Sequence, residues 1–419
     1  MVRRTHVQPS DSASGPAARI PRAPFFDRVT APFPISLAMT VLTYWTIDII
    51  SPALPAIQQS LMLTAAGASL VWSLLFAGRL LGNIPAAMLV DRVGPPLTAA
   101  CGAALLALGS LLAAVTGDFP TLYPGRVVQG LGIALLVNAG LRALVRIKPS
   151  QGAALTYFGF AATLGGVFGL QSGGFLTGSL GWRAVFVLST ALSVILLVLA
   201  LAGSHGSRDS HATRTRRDAE SPPAGPTRWA TLALPVMLNL IVYVNYSLFV
   251  ALPLYAQREF GASPETNANL LFVITVVHLL VSFPVGRAIQ RWGSNRLAAG
   301  GLILAAAGML LVLPAPHPFW TVPALILYGT GQVAAGNASG DLVLQRGGRS
   351  GKAVGLVRLS GDLGLVVGPY LTGALADWRG YHTPFLALPL LTAFGFLSVI
   401  AVSLSAQRRS PVDQRSPAL

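Results

Sequence analysis

Twelve apolar runs, each about as long as a membrane-crossing helix, leave this chain few folds to choose from. A helix needs about 20 apolar residues to cross a bilayer. By that measure the runs fall at 33–56, 66–90, 97–117, 121–146, 152–177 and 184–203, then, after a polar break, at 230–254, 267–289, 296–314, 319–341, 352–375 and 383–404. They are continuous, so the alternating apolar and polar pattern of a membrane β-barrel strand does not describe them. Of the 419 residues 53% are hydrophobic and 10% charged, whereas a soluble domain carries about 25% charged residues. The expected fold class is therefore an all-α membrane protein of twelve transmembrane helices. The single cysteine, Cys101, lies within a run, so no intrachain disulfide forms.

A formal charge of +15 invites a nucleic-acid reading, but its placement argues against one. One side of the expected membrane takes the N-terminal arginines, Arg92, Arg142, Arg146, Lys148, the arginines of 204–229, Arg287, Arg291, Arg296, Arg346, Arg349, Lys352, Arg408, Arg409 and Arg415. The other takes Arg183, Arg258 and Arg379. Cytoplasmic loops carry such an excess of basic residues. The charge thus reads as a topology signal and an attraction to anionic membrane lipid. It places both termini in the cytoplasm of a multi-pass protein of the inner (plasma) membrane. The expected domains are a cytoplasmic tail at 1–32, a six-helix bundle at 33–203, a linker at 204–229, a second bundle at 230–404 and a tail at 405–419.

The two bundles repeat each other. At a shift of 199 positions Pro85, Arg92 and Gly94 fall on Pro284, Arg291 and Gly293, and Gly130, Gly132 and Asn138 fall on Gly329, Gly331 and Asn337. Gly165, Gly169 and Gly174 fall on Gly364, Gly368 and Gly373. One constant shift across three helix pairs indicates a parallel repeat. In transporters, repeated halves flank a site near the midplane and rock around it.

Within the runs, ionisable residues are few. The first run carries Thr46 to Ile57, T-I-D-I-I-S-P-A-L-P-A-I, in which Asp48 precedes Pro52 and Pro55. An ionised carboxylate at membrane depth is costly unless it faces a cavity or a partner, so it marks a transport path or proton relay by default. The prolines are tolerated if neighbours satisfy the freed carbonyls, and they often bend the helix. The second such acid, Asp362, follows Arg358 by four residues, so either a salt bridge along one helix or a coupling role fits it. Arg79 stands twelve residues before Asp91, ~18 Å up the same helix, at a depth where it can pair with Asp48. His278 is its counterpart in the second half and can titrate near neutral pH or sit in a satisfied core contact. Asp48, Arg79, Arg126 and His278 are the expected substrate-cavity residues.

Four motifs resemble the major facilitator superfamily, in particular its twelve-helix drug:proton antiporters. The loop A-A-M-L-V-D-R-V-G is similar to the family's G-x-L-x-D-R-x-G, with Asp91, Arg92 and Gly94 in place, Ala87 for the leading Gly, and Pro95 and Pro96 for the usual basic pair. The second copy, G-R-A-I-Q-R-W-G, keeps Arg291 but has Gln290 for the Asp. G-R-V-V-Q-G resembles the R-x-x-Q-G motif, through Arg126. G-G-V-F-G-L-Q-S-G-G, carrying Gly165, Gly169, Gly173 and Gly174, resembles the antiporter motif G-x-x-x-G-P-x-x-G-G with Leu170 for Pro; the second half keeps Gly364, Gly368 and Pro369. The resemblance implies the major facilitator fold, with two six-helix pseudo-repeats. The Asp48-to-Pro55 stretch also resembles helix 1 of those antiporters. The resemblance therefore implies proton coupling through Asp48 and Arg126 and a conformational latch at Asp91, Arg92, Gly94, Gln290 and Arg291. Coupling through Asp362 is expected only from its being a carboxylate inside a span. The glycines are expected to allow close helix packing.

The function read from this is alternating-access transport, foremost proton-coupled export of a small amphipathic organic compound. Proton-coupled or exchange uptake of a nutrient or organic anion is the alternative, and a membrane sensor or enzyme a further one. No phosphate loop, nucleophile elbow or Cys/His cluster is present in the sequence, so an enzyme, a metal and a cofactor are not expected. The expected partners are a small-molecule substrate, protons and lipid, with the protein as a monomer. With both termini inside, a cysteine placed at Ser210 should stay shielded from an impermeant thiol reagent in intact cells. Labelling from outside would refute the topology.

Overall fold

The computed structural model describes residues 32–147, 151–204, 229–347 and 351–409. The expected tails and the body of the linker lie outside the described residues. Among those described there is no strand. The chain forms α1 (Pro32–Asp48), α2 (Leu54–Ser60), α3 (Ala65–Val93), α4 (Pro95–Val115), α5 (Phe119–Ile147), α6 (Gln151–Leu180) and α7 (Arg183–Ser204). After the linker come α8 (Trp229–Asn245), α9 (Leu248–Phe260), α10 (Pro264–Trp292), α11 (Ser294–Val312), α12 (Val322–Gly347), α13 (Gly351–Arg379) and α14 (Thr383–Arg409). The pairs α1/α2 and α8/α9 each make one interrupted span, giving twelve spans in two sets of six. Among the described residues nine spans are long and apolar enough to cross a membrane by length and composition. The other three, α6, α12 and α13, carry the glycines, amides and charges that face other helices.

The first interruption has a local cause. Pro52 has no N–H, and its ring would collide with the carbonyl four residues back, that of Asp48. The helix accordingly stops at Asp48, passes through a 3-10 turn at Ser51–Ala53 and restarts at Leu54. The second interruption, at Tyr246 and Ser247, has no such proline. There α12 holds the end of α8: Gln332 donates to the Val242 carbonyl at 2.6 Å and the Tyr328 hydroxyl to the Asn245 carbonyl at 2.7 Å.

The repeat reaches down to single caps. The Thr64 side chain caps α3 through the Gly67 N–H, and Ser263 caps α10 through the Thr266 N–H. Gly94 and Gly293 end matching helices at φ of 85° and 81°, Gly181 and Gly380 at 83° and 93°, in the region where only glycine is unstrained. Backbone contacts repeat as well. A Cβ on Gly165, Gly169 or Gly173 of α6 would lie 2.2, 2.6 or 2.0 Å from the Val41, Trp45 or Ile49 carbonyl of span one. Gly364 and Gly368 of α13 meet the Leu240 and Val244 carbonyls of α8 in the same way.

The two halves touch along two seams, α3 with α13 and α6 with α10. Both are closed on the face that carries the 60–65, 180–183, 260–264 and 379–383 connections, here called the far face. A Cβ on Gly373 would lie 2.6 Å from the Ala65 carbonyl, and one on Gly174 2.8 Å from the Pro264 carbonyl. Toward the opposite, basic face the helices part: Gly159, Gly286 and Gly355 have nothing within 4 Å of a Cβ position. The seams are therefore in backbone contact on the far face and lack such glycine contacts toward the basic one.

Candidate functional site

Where the seams begin to part, near mid-depth, the intramembrane charges gather. Arg79 of α3 forms an ion pair with Asp362 of α13, and Asn83, one turn along α3, donates to the other carboxylate oxygen of Asp362. The pair is largely buried, at 14% and 6% side-chain exposure. Arg79 also lies over the Phe76 ring, 4.6 Å from its centroid. From Asn83 the network runs to Asn138 of α5 at 3.4 Å, and Arg358 of α13 donates to Asn138 Oδ1 at 3.0 Å. Five side chains thus tie the halves together at one level.

Two pairings that the sequence left open are not the ones formed. Arg79 pairs with Asp362 and not with Asp48, because α3 packs on α13 across the boundary between halves. Arg358 turns to Asn138 and leaves Asp362 to Arg79, although it lies one turn away on the same helix.

Asp48 stands apart from that network. It ends α1, and among the described residues its carboxylate makes no hydrogen bond or ion pair. It lies against α6, where a Cβ on Gly166 would come 2.6 Å from Oδ2 and Thr275 of α10 is also near. The glycine at 166 is what leaves room for the acid, whereas the motif singles out only its neighbours, and for helix packing. Around the interruption of span seven, Tyr246 stacks on Tyr243 and Phe249, with centroids 5.5 and 5.8 Å apart. His278 packs edge-on to Tyr246 at 5.7 Å, and its Nε2 is buried without a hydrogen-bond partner. The wall between the halves thus presents one unpaired carboxylate and an aromatic group.

Arg126 is elsewhere. It is 1% exposed, inside the first half, where Nε donates to the Val71 carbonyl at 2.8 Å and Nη1 to Gln129 at 2.6 Å. Gln129 in turn donates to Ser110 at 2.7 Å. It shares no hydrogen bond with the Arg79 network, so the structure does not bring it to the cavity wall beside Asp48. Asp91 is exposed on the basic face and bonds Arg142 of α5 at 2.5 Å, with Arg92 and Gly94 beside it. Gln290 and Arg291 are exposed on the same face at the end of α10. In the second half the acid has moved: Asp341, at the position matching Arg142, accepts from Ser294 and from Gln345.

The family model of the Major Facilitator Superfamily matches residues 36–348 and 236–418. The chain belongs to that superfamily. It is a multi-pass membrane transporter and not an enzyme. Among relatives, it is 26% identical to the methylenomycin A resistance protein of Streptomyces coelicolor, over 77% of this chain and 82% of that one. The quinolone resistance protein NorA of Staphylococcus aureus is 21% identical over 90% of this chain and 96% of its own. The uncharacterized MFS-type transporter EfpA of Mycobacterium tuberculosis is 35% identical over 40% of this chain, a stretch that covers only 31% of EfpA. A bacterial homolog of the human lysosomal transporter Spinster, in an inward-facing and occupied conformation, has a TM-score of 0.72 at 17% identity, covering 91% of this chain and 98% of that one. The nucleoside transporter NupG has a TM-score of 0.65 at 12% identity, over 88% and 99%.

Removing one partner of a buried ion pair costs about 3 kcal/mol because the other charge is stranded. Asp362→Leu alone and Arg79→Met alone should therefore lower folded yield and melting temperature, and the double variant should recover most of the loss. A double variant as unstable as the sum of the singles would show that the pair does not act as a unit.

Proposed function

We propose that this transporter exports a small amphipathic organic compound in exchange for protons, with Asp48 as the proton-carrying group. The observation that supports this is the contrast between the two intramembrane acids. Asp362 is held by Arg79 and Asn83. Asp48 has no such partner and stands at the break in span one. An unpaired carboxylate at membrane depth is costly when charged and cheap when protonated. Its charge state therefore couples to whatever else occupies the cavity: a bound substrate, a bound proton or water.

In the cycle this implies, the basic face is cytoplasmic, as the arginine distribution indicates. Substrate enters from that side, where the halves part, and rests against Asp48 and the aromatic group of Tyr246, Phe249 and His278. The halves then rock about the seams and open to the far face, where a proton replaces the substrate on Asp48. Resistance-protein relatives favour export as the direction. The Asp91 loop acts as the latch of the basic face, a carboxylate suited to the positive N-terminal end of a neighbouring helix. Arg126 braces span four against α3 and affects coupling through that packing. Uptake of an anion on Arg79 and Arg126 has less support, because Asp362 occupies the first and Val71 and Gln129 the second.

Asp48→Asn mimics the protonated state. In proteoliposomes, export driven by a proton gradient should fall to background and substrate binding should weaken, as in the protonated state, while folded yield persists and Asp48→Glu keeps partial activity. Full gradient-driven export by Asp48→Asn would remove Asp48 from coupling.

A further inference from the structure

The helices α3 and α13 lie against each other across the boundary between halves, and they run in opposite directions. Each ends on an aspartate three residues before a glycine, in D-R-V-G at 91–94 and D-W-R-G at 377–380. In both, the acid stands in the last helical turn and the glycine closes the helix at positive φ, 85° and 93°. Asp91 belongs to the latch of the basic face. Asp377 lies on the far face, and its carboxylate holds the N-terminus of the helix opposite. Oδ1 accepts from the Ala65 N–H at 2.7 Å and Oδ2 from the Ala66 N–H at 2.9 Å. Amides of a first helical turn have no partner within the helix, and the helix dipole favours an anion there. The Thr64 hydroxyl accepts from the Gly67 N–H within the same half. Asp377 accepts from the other two across the boundary.

Other contacts close the same face. Gln58 donates to the Tyr381 hydroxyl at 2.9 Å across the halves, and Gly373 lets α13 rest on Ala65 and Ser69. At the other seam the repeat puts Gly178 at the position of Asp377 and Glu265 at that of Ala66. There the Glu265 carboxylate lies over Gly178 so closely that a Cβ would come 1.6 Å from it. The acid has changed helices, yet each seam keeps one acid spanning the halves. Asp377 is also exposed. When it lets go of α3 it meets water, and no buried charge is stranded. That suits a contact that must break and re-form in every cycle, unlike the buried Arg79–Asp362 pair.

We propose that Asp377 is the far-face counterpart of the Asp91 latch: its hold on the α3 N-terminus keeps that face closed, and its release permits opening there. The inference rests on alternating access but not on Asp48 as the proton carrier.

The test is a distance measurement on the full-length protein in lipid nanodiscs. Spin labels go on cysteines at Gly117 and Pro316, exposed residues of matching far-face loops in the two halves, with Cys101→Ser. Asp377→Ala should raise the long-distance, far-face-open population about tenfold over wild type. Ala65→Pro provides a second variant that leaves the acid in place. It deletes one of the two donors at the first helical position, where proline is well tolerated, after a residue already extended at ψ 168°. The second half carries Pro264 at that very position. The same shift, smaller in size, is expected. As a control, Gly373→Val forces the seam apart by bulk alone. If the wedge opens the far face while Asp377→Ala and Ala65→Pro leave the distances of folded protein unchanged, the latch is overturned and alternating access stands. If none of the three shifts the distribution, closure at this seam is not what governs the far face, and both fall.

Discussion

A charge at mid-depth in a bilayer must be paired, hydrated or neutralised, and the interior of this transporter is arranged around that demand. Asp362 is satisfied twice, by Arg79 and Asn83, both from the other half. Asn138 and Arg358 extend the same network. The result is a polar tie between halves where a purely apolar contact would slide freely. Asp48, at comparable depth, has only the open space beside Gly166 and the end of its own helix. One acid is spent on holding the halves together; the other remains available to a ligand or a proton.

The glycine seams make motion about that level possible. Where Gly165, Gly169 and Gly173 meet span one, and Gly364 and Gly368 meet α8, backbones approach closely within each half. Such contacts are stiff, because no side chain can re-pack between them. Each half can then move as a unit. Between the halves the glycines at 174 and 373 close only the far face. In the proposed cycle, rocking exchanges this closed face for the other, and the interrupted spans one and seven place Asp48 and Tyr246 where the change is felt.

Much of this was legible in the sequence, for identifiable reasons. Hydropathy gave the spans because bilayer thickness fixes helix length. The 199-residue shift recurs in the caps at Thr64 and Ser263 and in the glycine contacts. Pro52 pointed to a bend, and the structure goes further and ends the helix at Asp48. Other features left no local trace. The partner of Arg79 lies 283 positions away, and spacing along a chain does not say which helices are neighbours across two halves. For the same reason Arg358 looked like the partner of Asp362, being one turn away, although the structure turns it to Asn138. The break in span seven is imposed by Gln332 and Tyr328 of α12, so no proline marks it. Asn83 and Asn138 are neutral amides and raise no alarm at membrane depth. Gly166 reads like any other glycine until the carboxylate of Asp48 is placed above it.

The central claim is that one unpaired carboxylate, Asp48, exchanges its proton for substrate. Proton release on substrate binding measures this without any gradient or membrane. Purified transporter in weakly buffered detergent solution, at a pH where the empty cavity is protonated, is mixed with a transported compound while a pH indicator is followed. Wild type should release protons in proportion to the substrate bound, and Asp48→Asn, given enough substrate to reach the same occupancy, should release none. Equal release by the two proteins at equal occupancy would contradict the account.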